Sequence, residues 1–436
     1  MCIISKILIG YFMYKFLLSF FSFIFFVGCG SGTTFEEQDS TSLATVPHAQ
    51  SSIPMLGILI NYNNQQISSD NTTWSNKLFG KSEHQLNHYY QEVSNLHFEF
   101  AKVTESYGIA NDSIVSVNLN KNHPNSSTLS LTYPDLKNAL TLANSYVDFA
   151  QYDTNGDGKI TPNELLLTFI IAGYEDAYEA SHVTNGVWAH QYCMTTDTNT
   201  PTLDGVSLMG CQNGGNFALF GERHDISHPH DATIGIIAHE LGHATFDLPD
   251  LYNTLNPNSG GIGYFGLMGS GTWGMQNSVD YAGNTPVHFS AWSKIYNGWL
   301  QATQSTGNIT LNASSSSSYN VVKIPINATS YYLLENRNNS GYDKGLYSLS
   351  GHFDGGVALW KIDTTKLTAQ HFDNNNVNAD TQNKGVDLVE AQVSSIDNTG
   401  GGGDEDALYY EGNNNSFSTL ISNISQRGSS MSLNIN

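Results

Sequence analysis

The string His239-Glu-Leu-Gly-His243 constrains this 436-residue chain more than any other stretch. On a helix, His239 and His243 project from one face a single turn apart, so both imidazoles can reach one metal ion. Glu240 lies one step around, placed to take a proton from a water at that ion without being a ligand itself. The flanks predict the helix. Asp231 is a good N-cap, residues 232–238 (ATIGIIA) supply an apolar body, and Pro249 ends the segment by pushing Leu248 out of helical conformation. A five-residue string also occurs by chance on surface helices. Here the run Ile234–Ala238 marks a buried helix, and two buried histidines beside a buried glutamate need a metal or other partners.

Catalytic zinc takes three protein ligands and keeps a fourth position for water. The next glutamate after Glu240 is Glu335, and the acids between them are Asp247, Asp250 and Asp280. A distant glutamate ligand is therefore disfavoured, and a sharp turn that returns a ligand soon after His243 is expected. The metzincin pattern H-E-x-x-H-x-x-G-x-x-H, with Asp sometimes in the last place, is one such arrangement. This chain departs from it: Phe246 stands at the glycine position, and the acid after Leu-Pro is Asp250, one residue late. Asp250, at the Pro249 bend, is the expected third ligand. Asp247 is the rival, on the same side as His243 if the helix runs on. Downstream, Tyr264-Phe-Gly-Leu-Met-Gly-Ser-Gly-Thr-Trp273 resembles a methionine turn, with Met268 beneath the ligands. Met268 would serve equally as core filling. Tyr281 and His288 are candidates to assist an oxyanion, although a structural role is commoner for each.

These residues resemble the immune inhibitor A-type bacterial metalloproteases. Leu56-Gly-Ile-Leu-Ile60 with Asn61-Tyr62 is similar to that family's first strand, and His88-Tyr-Tyr-Gln-Glu-Val-Ser94 to its paired-tyrosine helix. The segment from Gly261 to Leu300 follows its methionine-turn region and the next helix. Tyr331–Arg337, Gly356–Asp363 and Asn376–Glu390 are similar to its C-terminal β region. The resemblance covers residues 55–412. It implies a zinc endopeptidase with structural calcium, His239 and His243 as ligands and Glu240 as base.

Asp153-Thr-Asn155-Gly-Asp157-Gly158-Lys159-Ile-Thr-Pro-Asn-Glu164 satisfies every position of a twelve-residue EF-hand loop. Asp153, Asn155 and Asp157 offer side-chain oxygens, Gly158 permits the sharp turn, Lys159 offers its carbonyl, and Glu164 is the bidentate acid. The alternative is an Asx-rich solvated turn. Pro134–Ala150 predicts an incoming helix, whereas Leu165–Ala172 reads as a buried strand. A strand cannot swing open as a sensor's exiting helix does, so the expected calcium site is permanent and structural.

The balance of 17 basic against 39 acidic residues, a net charge of −22, argues against nucleic acid, which demands a basic face. It fits an exported protein that holds calcium. Phe16–Val27 reads as the apolar core of a signal peptide (residues 1–28), and Val-Gly-Cys29 resembles a lipobox, making Cys29 a candidate for lipidation in the bacterial envelope. Cys193 and Cys211 then remain to pair in an oxidising compartment. Residues 29–52 read as a flexible tether. The expected fold is α+β: a zincin-like protease domain over 53–300, with a mixed sheet, the active-site helix and the calcium loop, then a β-sandwich-like domain over 301–436. The expected partners are protein or peptide substrates. Two rivals exist. A calcium-binding adhesin with a relic zinc site has no use for Glu240, and a structural zinc protein needs a fourth protein ligand that no nearby cysteine supplies.

Overall fold

The computed structural model describes residues 50–436 except 126–128, 180–181, 196–199, 257–258, 393–395, 397–400 and 414–418. The leader, Cys29 and nearly all of the tether lie outside the described residues. In chain order the first strands are β1 (Ser52–Asn61), β2 (Glu99–Lys102), β3 (Ile114–Asn118), β4 (Leu166–Glu175), β5 (Gly186–Val187), β6 (His190–Tyr192), the hairpin β7 and β8 (Thr202–Leu203, Val206–Ser207), β9 (Phe217–His224) and β10 (His230–Asp231). One mixed sheet runs β10-β9-β4-β1-β2, with β3 added to β1, β5 to β4 and β6 to β9. Strands β1 to β5 and β9 pair in parallel, while β6 and β10 are antiparallel to β9.

Parallel strands covered on both faces read as unbroken apolar runs, which is how β1 and β4 read. Alternate side chains divide between two cores. Met55, Leu59, Ile170, Ala218 and Phe220 face the active-site helix. Leu56, Ile58, Phe169, Ile171 and Leu219 face the opposite layer, which includes the helix Leu129–Ala143. That helix begins earlier than expected, encloses Pro134, and gives way to a 3-10 turn at Phe149–Tyr152 before the Asp153 loop.

The active-site helix spans Ile234–Phe246, and every residue but His243 is buried. Two local expectations are corrected. The N-cap is Thr233, not Asp231. Asp231 lies in β10, where its carboxylate accepts from Ser69 Oγ at 2.7 Å. The first turn is satisfied instead by a neighbouring loop: Gly235 N–H donates to Gly283 O at 2.8 Å, and Thr233 Oγ1 donates to Ala282 O at 2.7 Å. The helix stops before Pro249 acts, because Asp247 takes a left-handed φ of 55° and returns its N–H to His243 O.

The later strands are β11 (Thr303–Gln304), β12 (Gly307–Asn312), β13 (Val322–Pro325), β14 (Ser330–Arg337), β15 (Gly356–Asp363), β16 (Val386–Leu388), β17 (Ile421–Ser422) and β18 (Ser430–Ile435). They form a sheet β11-β13-β14-β15-β16 and a smaller sheet β12-β18-β17. Leu311, Val322, Leu334, Leu359, Met431 and Leu433 make an apolar cluster drawn from both sheets. Leu333, Trp360, Ile362 and Leu388 instead join the cluster that contains the active-site helix, so apolar packing continues from one region into the other. The chain is α and β mixed, with its helices and sheets interleaved.

A charged group crosses the same junction. Arg337, at the end of β14, is fully buried and grips Asp343 through Nε at 2.6 Å and through Nη2, while Nη1 donates to Phe265 O at 2.6 Å. Burial would raise the Asp343 carboxyl, but the guanidinium holds it well below the usual carboxylate range. Glu335 lies 3.5 Å from Arg337 Nη1. Removing one partner of such a group strands the other charges. Arg337→Met should therefore cost about 3–5 kcal/mol in urea unfolding; a loss below about 1 kcal/mol would show that the group contributes no such term.

Glu175 ends β4 and accepts N–H donors from Ala177 (3.1 Å), Ala189 (2.9 Å) and Gly221 (2.9 Å), fastening β4 to β9 and to the segment entering β6. Burial pushes its carboxyl up from about 4.5 to about 8, with the three amides opposing. An acid whose folded pKa exceeds its unfolded value binds more protons when folded, so stability should fall as pH rises from about 4.5 to about 8. Glu175→Gln, which cannot ionise, should flatten that part of a pH series of urea midpoints. An unchanged slope in the variant would assign the dependence elsewhere.

Candidate active site

The active-site helix places His239 and His243 on one face, and the chain that reverses at Asp247 brings Asp250 against them. His239 Nε2 lies 3.1 Å from His243 Nε2, and Asp250 Oδ1 lies 3.1 Å from the first and 3.2 Å from the second. Among the described residues Oδ1 has no hydrogen-bond donor of its own. Three donors of a tetrahedral site with bonds of about 2.0–2.1 Å lie roughly 3.3 Å apart. The triangle has that size, and its two nitrogens and one oxygen suit a divalent ion of intermediate softness.

Each imidazole is oriented through its other nitrogen. His239 Nδ1 bonds to Leu267 O at 2.9 Å, and His243 Nδ1 to Leu248 O. A carbonyl can only accept, so Nδ1 carries the proton on both rings in the neutral form and Nε2 is left with its lone pair toward the triangle. Leu267 O is further held by Thr272 Oγ1 at 3.0 Å. The loop bearing Asp250 is tied to the same turn, since Leu251 N–H donates to Met268 O at 2.7 Å. Met268 is buried, and a Cβ at Gly242 would stand 2.9 Å from its sulfur. Glycine between the two histidines thus lets Met268 lie against the helix.

The electrostatics follow from packing imidazoles and carboxylates together in the interior. Burial alone would lower His243, yet the Asp250 charge and hydrogen bond outweigh it and raise the imidazole. Burial would raise Asp250, but His243 and His239 hold it well below the carboxylate range. Glu240, almost fully buried, is pushed up by burial and by Asp250, against the pull of both imidazoles and an N–H bond from Gln191 in β6. Glu240 thus lies beside strand β6, which pairs antiparallel with β9.

The other predicted residues are placed as follows. Asp247 is exposed at the helix C-cap, outside the triangle. His288 has no exposure: Nε2 bonds to Glu92 at 2.9 Å and Lys294 donates to Nδ1 at 2.9 Å, so it cannot meet an oxyanion. Tyr281 is 46% exposed and stacks on His230 with ring centroids 3.7 Å apart. Cys193 and Cys211 are disulfide-bonded just beyond β6.

In the Asp153 loop, Asp153 accepts from Gly156, Asp157 and Gly158, Asn155 from Asp157, and Asp157 from Lys159. Glu164 accepts from Thr154 and Thr161. Gly158 has φ +76°, and Gly158 O and Ile160 N–H pair with Ser207, joining the loop to β8. Of the described residues, one further group of acids and histidine converges, His352, Asp354 and Glu405, and Arg427 already lies 3.5 and 3.2 Å from its two acids.

Some site residues have no mark in the sequence. The Leu248 and Leu267 carbonyls act through the backbone, so residue type is silent. Tyr252 donates to Asp250 Oδ2 at 2.8 Å, and Asn375 donates to the same oxygen at 2.6 Å from a tract that reads only as an Asn-rich loop. Tyr252 was findable by its closeness to Asp250; Asn375 was not.

The chain is similar in sequence to known proteins over its central part. Residues 77–307 match the profile described as immune inhibitor A peptidase M6, catalytic domain. Immune inhibitor A of Bacillus thuringiensis subsp. alesti is 32% identical over 153 residues, 34% of this chain and 21% of that protein. Pre-pro-metalloprotease PrtV of Vibrio cholerae serotype O1 is 30% identical over 152 residues, 34% of this chain and 15% of that protein. The matched stretch thus spans about a fifth or less of these relatives. The crystal structure of wild-type OgpA from Akkermansia muciniphila aligns over 74% of this chain and 90% of its own at 15% identity, with a TM-score of only 0.30. The profile match takes in more than half of the chain and all of His239–Asp250, and the chain belongs to the immune inhibitor A peptidase M6 family of metallopeptidases.

Proposed function

We propose that this protein is an exported zinc-dependent endopeptidase that hydrolyses peptide bonds of proteins outside the cell. The observation that carries the reading is the triangle of His239 Nε2, His243 Nε2 and Asp250 Oδ1, with sides of 3.1–3.2 Å, beside the buried Glu240. In it His239, His243 and Asp250 hold the ion, and Asp247 does not. When bound, zinc supplies Lewis acidity that acidifies water and polarises a carbonyl. The protein's own part is to move the proton. Glu240 accepts it from the attacking water as the oxygen–carbon bond forms, then delivers it to the amide nitrogen as the carbon–nitrogen bond breaks. A carboxylate raised by burial is a stronger proton acceptor than a solvated one, which suits the first of these transfers. The carbonyls of Leu267 and Leu248 keep both imidazoles in the ligating tautomer.

The Asp153–Glu164 loop is assigned a structural calcium ion, held by Asp153, Asn155, Asp157, the Lys159 carbonyl and Glu164. Its pairing with Ser207 supports a bracing role rather than a sensing one. Residues 53–300 would form the catalytic unit and 301–436 a β-sandwich-like companion, with export directed by residues 1–28 and Cys29 a candidate lipid anchor. No helix among the described residues is long and apolar enough to cross a membrane. The rival reading, a calcium-binding adhesin, leaves Glu240 without a task.

Glu240→Gln should retain bound zinc and lose at least about a thousandfold in casein cleavage, since it removes the group that handles both proton transfers; activity within tenfold of the parent would refute its role. Elemental analysis of the purified chain should give one zinc and at least one calcium ion. Removing zinc with 1,10-phenanthroline should abolish cleavage, and adding zinc back should restore it. Proteolysis that persists after zinc has been stripped would end the zinc reading.

A further inference from the structure

We infer that Asn375 is a positioning residue of the metal site, reaching from the C-terminal region to set the orientation of Asp250; this rests on the ligand assignment proposed above. A carboxylate that gives one oxygen to an ion must have the other restrained, or it will rotate and swing away. Oδ1 of Asp250 faces the imidazoles, and Oδ2 takes two donors, Tyr252 OH at 2.8 Å and Asn375 Nδ2 at 2.6 Å. Asn375 does more than Tyr252. Its Oδ1 also accepts the backbone N–H of Asp250 at 2.8 Å, so one side-chain amide grips the main chain and the carboxylate of the same residue. The two residues are 125 positions apart in the chain.

The grip has its own scaffold. Asn375 takes a left-handed φ of 48°, a conformation asparagine tolerates better than most residues. Its N–H donates to Phe372 O at 2.9 Å, closing the short helix Ala369–Asp373, and its carbonyl accepts Thr254 Oγ1 at 2.8 Å. Beside it, Asn378 Nδ2 donates to Leu251 O at 2.8 Å, and Asn253 Nδ2 donates to Ala379 O at 3.1 Å. Residues 374–380 are thus laced onto residues 250–254 largely by amide side chains. Amides fit the task because they offer a donor and an acceptor on one rigid plane without adding charge. An aspartate at 375 would set a second carboxylate against Oδ2.

The test uses the full chain, purified without metal, and measures zinc affinity by competition with a fluorescent chelator. Asn375→Leu keeps the branching and heavy-atom count and removes both bonds. It should weaken zinc binding by about 10–100-fold and speed zinc loss to EDTA, with the circular dichroism spectrum unchanged. Thr381→Val cuts the bonds that its hydroxyl accepts from Asn253 and Asn256, between the same two segments, without touching Asp250 or Asn375, and should shift affinity by less than about threefold. If Asn375→Leu does not fold, Asn375→Ser, too short to span both groups, is measured in its place. Parental affinity in the folded Asn375 variant, or an equal loss in Thr381→Val, overturns the inference. Zinc binding that survives His239→Ala overturns the ligand assignment beneath it instead, so the two failures are distinguishable.

Discussion

Two imidazoles and a carboxylate are forced together in the interior of this protein with about 3 Å between their facing atoms. Burial works against the charges of His243 and Asp250, and each of the two offsets that cost for the other. On the reading proposed above a divalent cation would answer all three at once, and the remainder of the fold is a frame around that triangle. The helix is apolar almost all round so that it can be sunk between the sheet and the turn at Met268. Gly242 and Gly235 have no side chain because Met268 and the Thr272 carbonyl occupy the space one would need.

The frame draws on the whole described chain. Apolar packing runs from β1 through the active-site helix to Trp360 in β15 and Leu388 in β16. Arg337 carries a buried guanidinium from β14 to the carbonyl of Phe265, three residues before Met268. Asn375 reaches the Asp250 loop from still further along. A carbonyl or amide that orients a ligand must itself be rigid, and rigidity here comes from elements distant in sequence. The C-terminal sheets are therefore part of the architecture of the site, whatever other role they have.

The sequence is most legible where one residue type at one spacing has one physical meaning. The His-x-x-x-His spacing speaks for itself because helical geometry is fixed, and the unbroken apolar runs of β1 and β4 signal strands covered on both sides. It is least legible where backbone groups act. Asp231 has the chemistry of an N-cap, yet Thr233 holds that place because a loop at Ala282–Gly283 already serves the first turn. Pro249 looks like the helix terminator, but the left-handed turn at Asp247 comes first. His288 has the chemistry of an oxyanion partner and is instead locked between Glu92 and Lys294.

Local periodicity, residue chemistry and motif spacing were enough by themselves to determine the active-site helix, its two imidazoles, the adjacent glutamate, the twelve-residue acidic loop and the mixed α and β character of the chain. Only the tertiary structure decided which aspartate meets the imidazoles, which carbonyls orient them and which distant asparagine holds the acid in place. The reason is one of range. Helical and loop geometry is set by neighbours within a few residues, whereas the position of Asp250 depends on how a reversed turn packs against Met268 and Asn375, and no local pattern records where those two will come to rest.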